Sequence, residues 1–217
     1  MIRTIVLSVL FCGALNLPCR GAIIFSESFG DPGSSPTPIS SYSGYTNGVG
    51  LTFSGTGDVR NTSPSNYSGA SAGGNVFLTN NGTSTLQISG INTLGYASSS
   101  FGLSFGAFKS AIASNLTELV IAYSTDNTTF FNLSPSIPAQ PTGSGTAIWR
   151  LLSITPTNLP LSNSLSLRFT NTSSSSQIRL DDIVLTGTAV PEPSVVMFLG
   201  IIGTAGAVGR AVRKILF

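Results

Sequence analysis

Large apolar residues occupy every second position in the stretch Ser164–Phe169, which reads SLSLRF. The same period of two occurs in Phe101–Phe105 (FGLSF). It also occurs in Ile23–Phe29 (IIFSESF), where the charged Glu27 occupies one of the alternating positions. A period of two turns one side of an extended strand toward a core and the other toward water. These stretches therefore predict β-strands that each bury one face.

Other short stretches rich in β-branched and aromatic residues are predicted strands as well, because clusters of Gly, Asn, Ser and Pro separate them. They are Val49–Ser54, Val76–Thr79, Thr85–Ile91, Leu119–Ser124, Thr129–Leu133, Ile148–Ile154 and Gln177–Thr186. Ala107–Leu116 is predicted to form one or two helical turns at most. The pattern predicts an all-β sandwich over residues 23–188.

Three local features refine this prediction. The apolar parity changes at Asp181-Asp182, which predicts a β-bulge within the last strand. Asp126-Asn127 predicts the turn of a hairpin, since both residue types tolerate left-handed conformations, and this favours a turn role for Asp126 over a ligand role. Trp149 lies in the middle of a predicted strand and is predicted to be a core residue.

The composition excludes several functions. Only 8% of the residues are charged, and residues 22–190 hold five basic and seven acidic residues, so nucleic-acid binding is not expected. The chain has no His, and both cysteines lie at Cys12 and Cys19. Beyond residue 22 the sequence therefore offers no Ser-His-Asp or Cys-His catalysis and no His-ligated zinc.

The N-terminal segment predicts export. Met1–Arg3 is positively charged, Thr4–Leu17 is largely apolar, and Pro18 precedes small residues at Gly21 and Ala22. This order is typical of a secretory signal peptide, assigned to residues 1–22. The mature protein is therefore predicted to be secreted or to stay at the cell surface.

The C-terminal segment, residues 189–217, predicts membrane insertion. An uncharged run, Val195–Gly209, would form a helix of about 22 Å, which is short for the roughly 30 Å hydrocarbon core unless flanking residues extend it. The basic residues that follow would remain on the cytoplasmic side, so the domain would lie outside. These basic residues are Arg210, Arg213 and Lys214.

Pro191, Glu192 and Pro193 precede this run, and the three parts together resemble the PEP-CTERM sorting signal. The apolar residues 215–217 after the basic cluster depart from the usual ending. The resemblance implies cleavage near the Pro-Glu-Pro motif by exosortase, a membrane transpeptidase-like protease. It also implies association with the exopolysaccharide of a biofilm or floc matrix.

Four features of residues 23–187 resemble, in their order, the jelly-roll domains of secreted bacterial proteins. They are Phe25–Phe29, a Tyr-Ser-Thr-Asp hairpin at 123–126, the Trp149 strand and Arg179–Ile183. These domains are related in shape to galactose-binding and carbohydrate-binding modules. The resemblance implies a jelly-roll β-sandwich, in which a structural calcium ion near the chain ends is a recurring feature.

The acids Glu27, Asp181 and Asp182 are the predicted calcium ligands. First and last strands of such a fold often lie near one another, so these acids could converge, and carboxylate oxygens suit calcium. In the alternative, which we favour, Asp181 pairs with Arg179 or Arg168, and Asp182 caps the bulge.

Four tyrosines in Gly/Ser-rich segments are predicted to contact a ligand, because aromatic faces suit stacking on sugar rings. They are Tyr42, Tyr45, Tyr67 and Tyr96. The alternative is that they only close loops over the sandwich.

Three functional hypotheses follow. The first is a non-enzymatic surface or matrix protein, sorted by its C-terminal tag and associated with exopolysaccharide. The second is a carbohydrate-binding module with a defined glycan site. The third, which we disfavour, is a polysaccharide hydrolase that uses Glu27 or Glu118 with Asp181 or Asp182.

Overall fold

The computed structural model describes residues 21–109, 114–142 and 147–190. Most of the predicted signal peptide lies outside these residues. So do the sorting motif Pro191, Glu192 and Pro193 and the basic residues Arg210, Arg213 and Lys214. Among the described residues, no helix has the length and apolar character needed to cross a membrane.

Strands form almost all of the regular structure. In chain order they are β1 (Ala22–Glu27), β2 (Thr37–Pro38), β3 (Thr52–Gly55), β4 (Asp58–Arg60), β5 (Asn75–Leu78), β6 (Ser84–Ile91), β7 (Gly102–Lys109), β8 (Leu119–Ser124), β9 (Phe131–Asn132), β10 (Trp149–Ile154), β11 (Leu165–Asn171) and β12 (Ile178–Gly187). A short 3-10 helix, Ile39–Ser41, follows β2.

The strands form two antiparallel sheets. The first has the order β10-β7-β12-β5-β4-β2, with β1 also paired to β12, and the second has the order β3-β6-β11-β8-β9. From β5 to β12 the chain passes from one sheet to the other at every connection except the β8-β9 hairpin. This connectivity confirms the predicted jelly-roll β-sandwich.

The predicted bulge in β12 is present, and it divides the strand between two partners. Ile178–Leu180 pairs with β5, whereas Ile183–Gly187 pairs with β1. The register with β7 shifts between Asp181 and Val184, and Asp182 has a φ of 48°. Because of this shift, Leu180 and Ile183 both point into the core.

Aromatic and aliphatic side chains from both sheets fill the interior. The rings of Phe105 in β7 and Phe169 in β11 meet edge to face, with centroids 5.5 Å apart. Leu103, Leu167 and Leu185 are buried around them. This layer is the core predicted from the stretches that contain Phe105 and Phe169. In the third stretch the register shifts between Ile23 and Phe25, and Ile23 is 64% exposed.

Three predictions about secondary structure and packing need correction, and two short strands were missed. The short strands β2 and β4 were not predicted, and the strand predicted over Thr129–Leu133 is only Phe131–Asn132. Residues 107–109, predicted to begin a helical turn, belong to β7. Trp149 is buried on the outer face of the first sheet. There it packs against Phe108 and donates a 3.0 Å hydrogen bond from Nε1 to the main-chain oxygen of Ser63.

Candidate functional site

The carboxylate of Glu27, at the end of β1, is buried and accepts four hydrogen bonds. Oε1 accepts from the main-chain N–H groups of Phe29 (2.6 Å) and Thr46 (3.0 Å) and from Oγ1 of Thr46 (2.9 Å). Oε2 accepts from the main-chain N–H of Asn47 at 3.0 Å. A buried charge is tolerated when it is paired in this way. Glu27 therefore fastens the 46–47 loop to β1.

Asp181 has no exposed surface and holds a different loop. Its Oδ2 accepts hydrogen bonds from the hydroxyl groups of Ser65 (2.6 Å) and Ser71 (3.4 Å), and its Oδ1 accepts one from the main-chain N–H of Asp182. Burial raises the pKa of the Asp181 carboxyl group to about 7. The bond from Ser65 opposes this rise, and the charge of Asp182 adds to it.

Asp182, the residue with the positive φ, binds the same loop. Its Oδ2 accepts hydrogen bonds from the hydroxyl group of Tyr67 and from the main-chain N–H of Ser71. The Tyr67 ring also lies over the backbone of Gly106, where a Cβ would come within 2.6 Å of the ring. The bulge therefore anchors the 65–72 loop across the outer face of the first sheet.

The structure brings only two of the three predicted calcium ligands to one cleft. Glu27 and Asp182 line a cleft of about 180 Å³, whereas Asp181 lies beneath the 65–72 loop. Across the described ranges, no group of three or more acidic, His or Cys side chains is placed to hold a metal ion. A calcium role for these acids stays a prediction.

The ion pair considered for Asp181 is also absent from the described part of the chain. Arg179 donates hydrogen bonds to Thr62 and Asn75, and the ion pair found there joins Arg60 to Asp58. The prediction that Asp181 pairs with Arg179 or Arg168 is therefore wrong. Serine hydroxyl groups satisfy the Asp181 carboxylate instead.

The four predicted ligand tyrosines all close loops over the sandwich. The hydroxyl groups of Tyr42 and Tyr45 donate to main-chain oxygens at 2.6 and 2.7 Å, and Tyr67 donates to Asp182. Tyr45 also stacks on Phe53, with ring centroids 3.8 Å apart. Tyr96 packs against the core. Loop closure accounts for these contacts, and a ligand role for the four stays a prediction.

A groove of about 460 Å³ runs beside β1, which pairs only with β12 among the described strands and is thus an edge strand. Its volume falls within the roughly 300–1,000 Å³ of typical ligand sites. The lining comes from three distant parts of the chain: residues 23–26 of β1, residues 46, 47 and 49–51 before β3, and residues 90–92 at the end of β6.

The surface of the groove is neutral, with apolar residues at its rim. Val49 is 99% exposed and Ile23 is 64% exposed, and the lining also includes hydroxyl and amide groups. Asn47 donates a 3.2 Å hydrogen bond to Ser26, and both residues also line the smaller cleft that contains Glu27. The two cavities therefore adjoin at this pair.

Glycine shapes the floor of the groove. Gly90 has a φ of 90°, and a Cβ at this position would lie 2.6 Å from the main-chain oxygen of Gly50. A side chain at this position would force the backbones of the two lining segments apart. No sequence motif marks this site, because its residues meet only in the folded chain.

The outer face of the second sheet is a second polar face, although Ala122, Ser124 and Ser166 on it are buried. Leu165, Leu167 and Phe169 point into the core, so Arg168 points outward, between Gln87 of β6 and Ala122 of β8. Arg168 is the one charged residue among the outward positions of the five described strands. These positions are Thr52, Ser54, Thr85, Gln87, Ser89, Val120, Ala122, Ser124, Asn132, Ser166, Arg168 and Thr170.

The β8-β9 loop folds back over this face and fixes Arg168. Asn127, at a φ of 60°, accepts hydrogen bonds from the hydroxyl groups of Ser89 (3.2 Å) and Ser166. The centroid of the Phe130 ring lies 3.5 Å from the guanidinium carbon of Arg168. The parity of SLSLRF predicts the outward direction of Arg168, but no sequence signal pairs it with Phe130.

No protein-family model matches the chain, and no curated protein matches it. Solved structures show similarity at low identity. The CBM22-1 xylan-binding domain of Xyn10C from Paenibacillus barcinonensis is 12% identical over 79% of this chain and 97% of its own, with a TM-score of 0.41. The K1 cleaved adhesin domain of Lys-gingipain from Porphyromonas gingivalis W83 is 16% identical over 75% of this chain and 97% of its own, with a TM-score of 0.42.

A third similar structure is TmCBM61 in complex with β-1,4-galactotriose. It is 13% identical over 63% of this chain and 88% of its own, with a TM-score of 0.35. At such identities and scores we assign no ligand from these likenesses. The geometry of the groove and of the outer face carries the functional argument.

Proposed function

We propose that this chain is an exported, non-enzymatic protein that binds a polysaccharide in the groove beside β1. The observation that carries the proposal is the groove itself, a neutral cavity of about 460 Å³. It adjoins the smaller cleft that contains Glu27, because Ser26 and Asn47 line both cavities. Its sorting through the C-terminal tag and its association with exopolysaccharide belong to the same proposal.

The chemistry of the groove suits a sugar chain. A pyranose ring presents apolar C–H faces and hydroxyl edges, and the groove offers aliphatic contacts at Ile23 and Val49 beside the amide groups of Asn47 and Asn92. Ligand sites commonly combine an apolar lining with a few polar groups that fix orientation. The exposed rim residues would lose contact with water when a sugar ring covers them.

The state of the acids supports a binding role over hydrolysis. Glycoside hydrolysis requires two carboxyl groups that act on the scissile bond. Both oxygens of Glu27 accept hydrogen bonds from the protein, and Asp182 accepts two more. Asp181 is covered by its loop.

Export and sorting rest on the sequence of the two ends. The order of Pro-Glu-Pro, an uncharged run and a basic cluster supports recognition by exosortase, with the membrane as a temporary partner. The sandwich then reaches the outside of the cell, where polysaccharide is available.

Binding of the purified full-length protein to a glycan panel tests the proposal. The panel includes xylan and β-1,4-galactan oligomers, the glycan types named for two of the similar structures. We expect saturable binding that is at least tenfold weaker in Val49→Glu and Ile23→Glu. Leu151→Glu is the matched control, since Leu151 is 53% exposed on β10, at the other edge of the first sheet. The absence of saturable binding to every glycan, or equal effects of all three variants, would overturn the proposal.

A further inference from the structure

We propose that the outer face of the second sheet is a separate binding site for the carboxylate groups of a uronate-containing polysaccharide, with Arg168 as the residue that binds them. That the ligand is a glycan rests on the proposed function. It adds the charge class of that glycan and a site distinct from the groove.

Arg168 carries a charge that no described residue neutralises. It is half-buried and forms no salt bridge with any described residue. Its Nε is enclosed by the protein, so the terminal nitrogens of the guanidinium are the ones that would meet an anion. The opposing positions on both neighbouring strands, Gln87 and Ala122, are uncharged. An unpaired guanidinium in neutral surroundings attracts an anion, and its planar fork matches a carboxylate through two parallel hydrogen bonds.

The Arg168 side chain is held in place before any ligand binds. The Phe130 ring lies 3.5 Å from the guanidinium carbon, which holds the Arg168 side chain through a cation–π contact. Asn127 ties the loop that carries Phe130 to β6 and β11. A side chain that is fixed before binding loses less conformational entropy when a ligand arrives.

Neutral polar side chains surround Arg168 on this face. Ser54, Gln87, Thr85 and Thr170 present hydroxyl and amide groups on the same face. These groups pair with sugar hydroxyl groups, whereas a phosphate cluster or a nucleic acid would call for several cations. One cation among many neutral polar groups fits a polymer that carries carboxylates on sugar rings.

The test measures binding of the full-length protein to polygalacturonate, β-1,4-galactan and dextran sulfate. We expect polygalacturonate binding to weaken about tenfold or more in Arg168→Gln. Arg168→Lys should weaken it as well, because an ammonium group lacks the planar fork. Phe130→Leu should weaken it several-fold. Binding of β-1,4-galactan in the groove should be unchanged in all three variants.

Arg60→Gln is the charge-matched control, since Arg60 lies in β4 of the other sheet and pairs with Asp58. Thermal unfolding shows whether each variant is folded. Equal losses in Arg60→Gln, or dextran sulfate binding as tight as polygalacturonate binding, would overturn the inference in favour of general attraction to polyanions. Groove-dependent binding of a neutral glycan without polygalacturonate binding would overturn this inference alone. Failure of every glycan to bind would overturn both proposals.

Discussion

The carboxylate of Asp181 accepts a 2.6 Å hydrogen bond from the hydroxyl group of Ser65, a residue 116 positions earlier in the chain. Both groups are buried, and Asp181 sits at the bulge where β12 changes its pairing partner from β5 to β1. A single acidic side chain therefore links the central strand of the first sheet to the loop that covers it.

The first prediction concerns pH and stability. The folded-state pKa of Asp181, about 7, is raised above the usual value of 3.8, so the folded protein binds a proton that the unfolded chain releases. The resulting stabilisation is fully present below about pH 4 and is lost as the pH rises through about 7. The free energy of unfolding should fall by up to about 1.4 kcal/mol per pH unit within this window.

Denaturant unfolding of the wild type and of Asp181→Asn at several pH values isolates this effect. The variant keeps a neutral side chain of similar shape, so the difference between the two proteins should favour the variant increasingly up to about pH 7 and then level off. The carboxyl pKa of Asp126 is lowered by hydrogen bonds from Thr129, Thr128 and Ser124. Its effect therefore appears at lower pH and has the opposite sign. A pH-independent difference would contradict the prediction.

The second prediction concerns Glu27. In Glu27→Gln, an amide NH₂ would replace one acceptor oxygen and face main-chain donors at 2.6–3.0 Å. We expect a loss of about 3 kcal/mol in the free energy of unfolding, measured with denaturant. Glu118→Gln serves as the control, because Glu118 accepts a hydrogen bond from Ser114 at 2.9 Å and should lose about 1 kcal/mol or less. Equal losses would show that the four-bond arrangement adds nothing.

The third prediction concerns calcium. Protein donors occupy the carboxylates of Glu27, Asp181 and Asp182, so we expect the same melting temperature in EDTA and in millimolar calcium chloride. A calcium-dependent rise that disappears in Asp182→Asn would contradict this expectation and support the calcium ligands predicted from the sequence.

The fourth prediction concerns the loop over the second sheet. Asn127→Gly retains the left-handed backbone but removes the acceptor for Ser89 and Ser166, and should cost about 1–2 kcal/mol in the free energy of unfolding. Asn127→Asp keeps the acceptor and should lose less. If both variants unfold like the wild type in denaturant, Asn127 does not hold the loop.

The fifth prediction concerns processing. Mass spectrometry of the protein from cells that make exosortase should find a new N-terminus near residue 22 and a C-terminus near Pro191–Pro193. Replacing Glu192 with Ala should leave the C-terminal segment attached, while export continues. An intact C-terminus in the unaltered protein would contradict the sorting proposal.

The sequence predicts the strands better than the surfaces they build. Alternation such as SLSLRF locates a long strand because burial of one face dictates every second residue. Thr37–Pro38 and Asp58–Arg60 are too short to show a period, so pairing alone defines them. The parity change at Asp181-Asp182 predicts the bulge correctly, since both Leu180 and Ile183 must reach the core.

The candidate sites depend on contacts between distant residues, which no local pattern encodes. Ile23, Val49 and Asn92 line one groove although they lie in separate segments. Tyrosines in Gly/Ser-rich segments suggest ligand contacts, and the sequence does not show that Tyr45 also stacks on Phe53. Residue type indicates which chemistry is available, and the fold decides whether another part of the protein already uses it.

The position of β12 has a mechanical consequence. Tension on the C-terminal end of the described chain passes the bridge between Ala189 and Tyr96 and then enters β12 at Gly187. Since β12 is bonded to β7 along one side and to β1 and β5 along the other, it must be sheared from several neighbours at once. A strand at the rim of a sheet would peel away one bond at a time. Pulling on this end along the axis of β12 therefore meets the resistance of all three neighbours together.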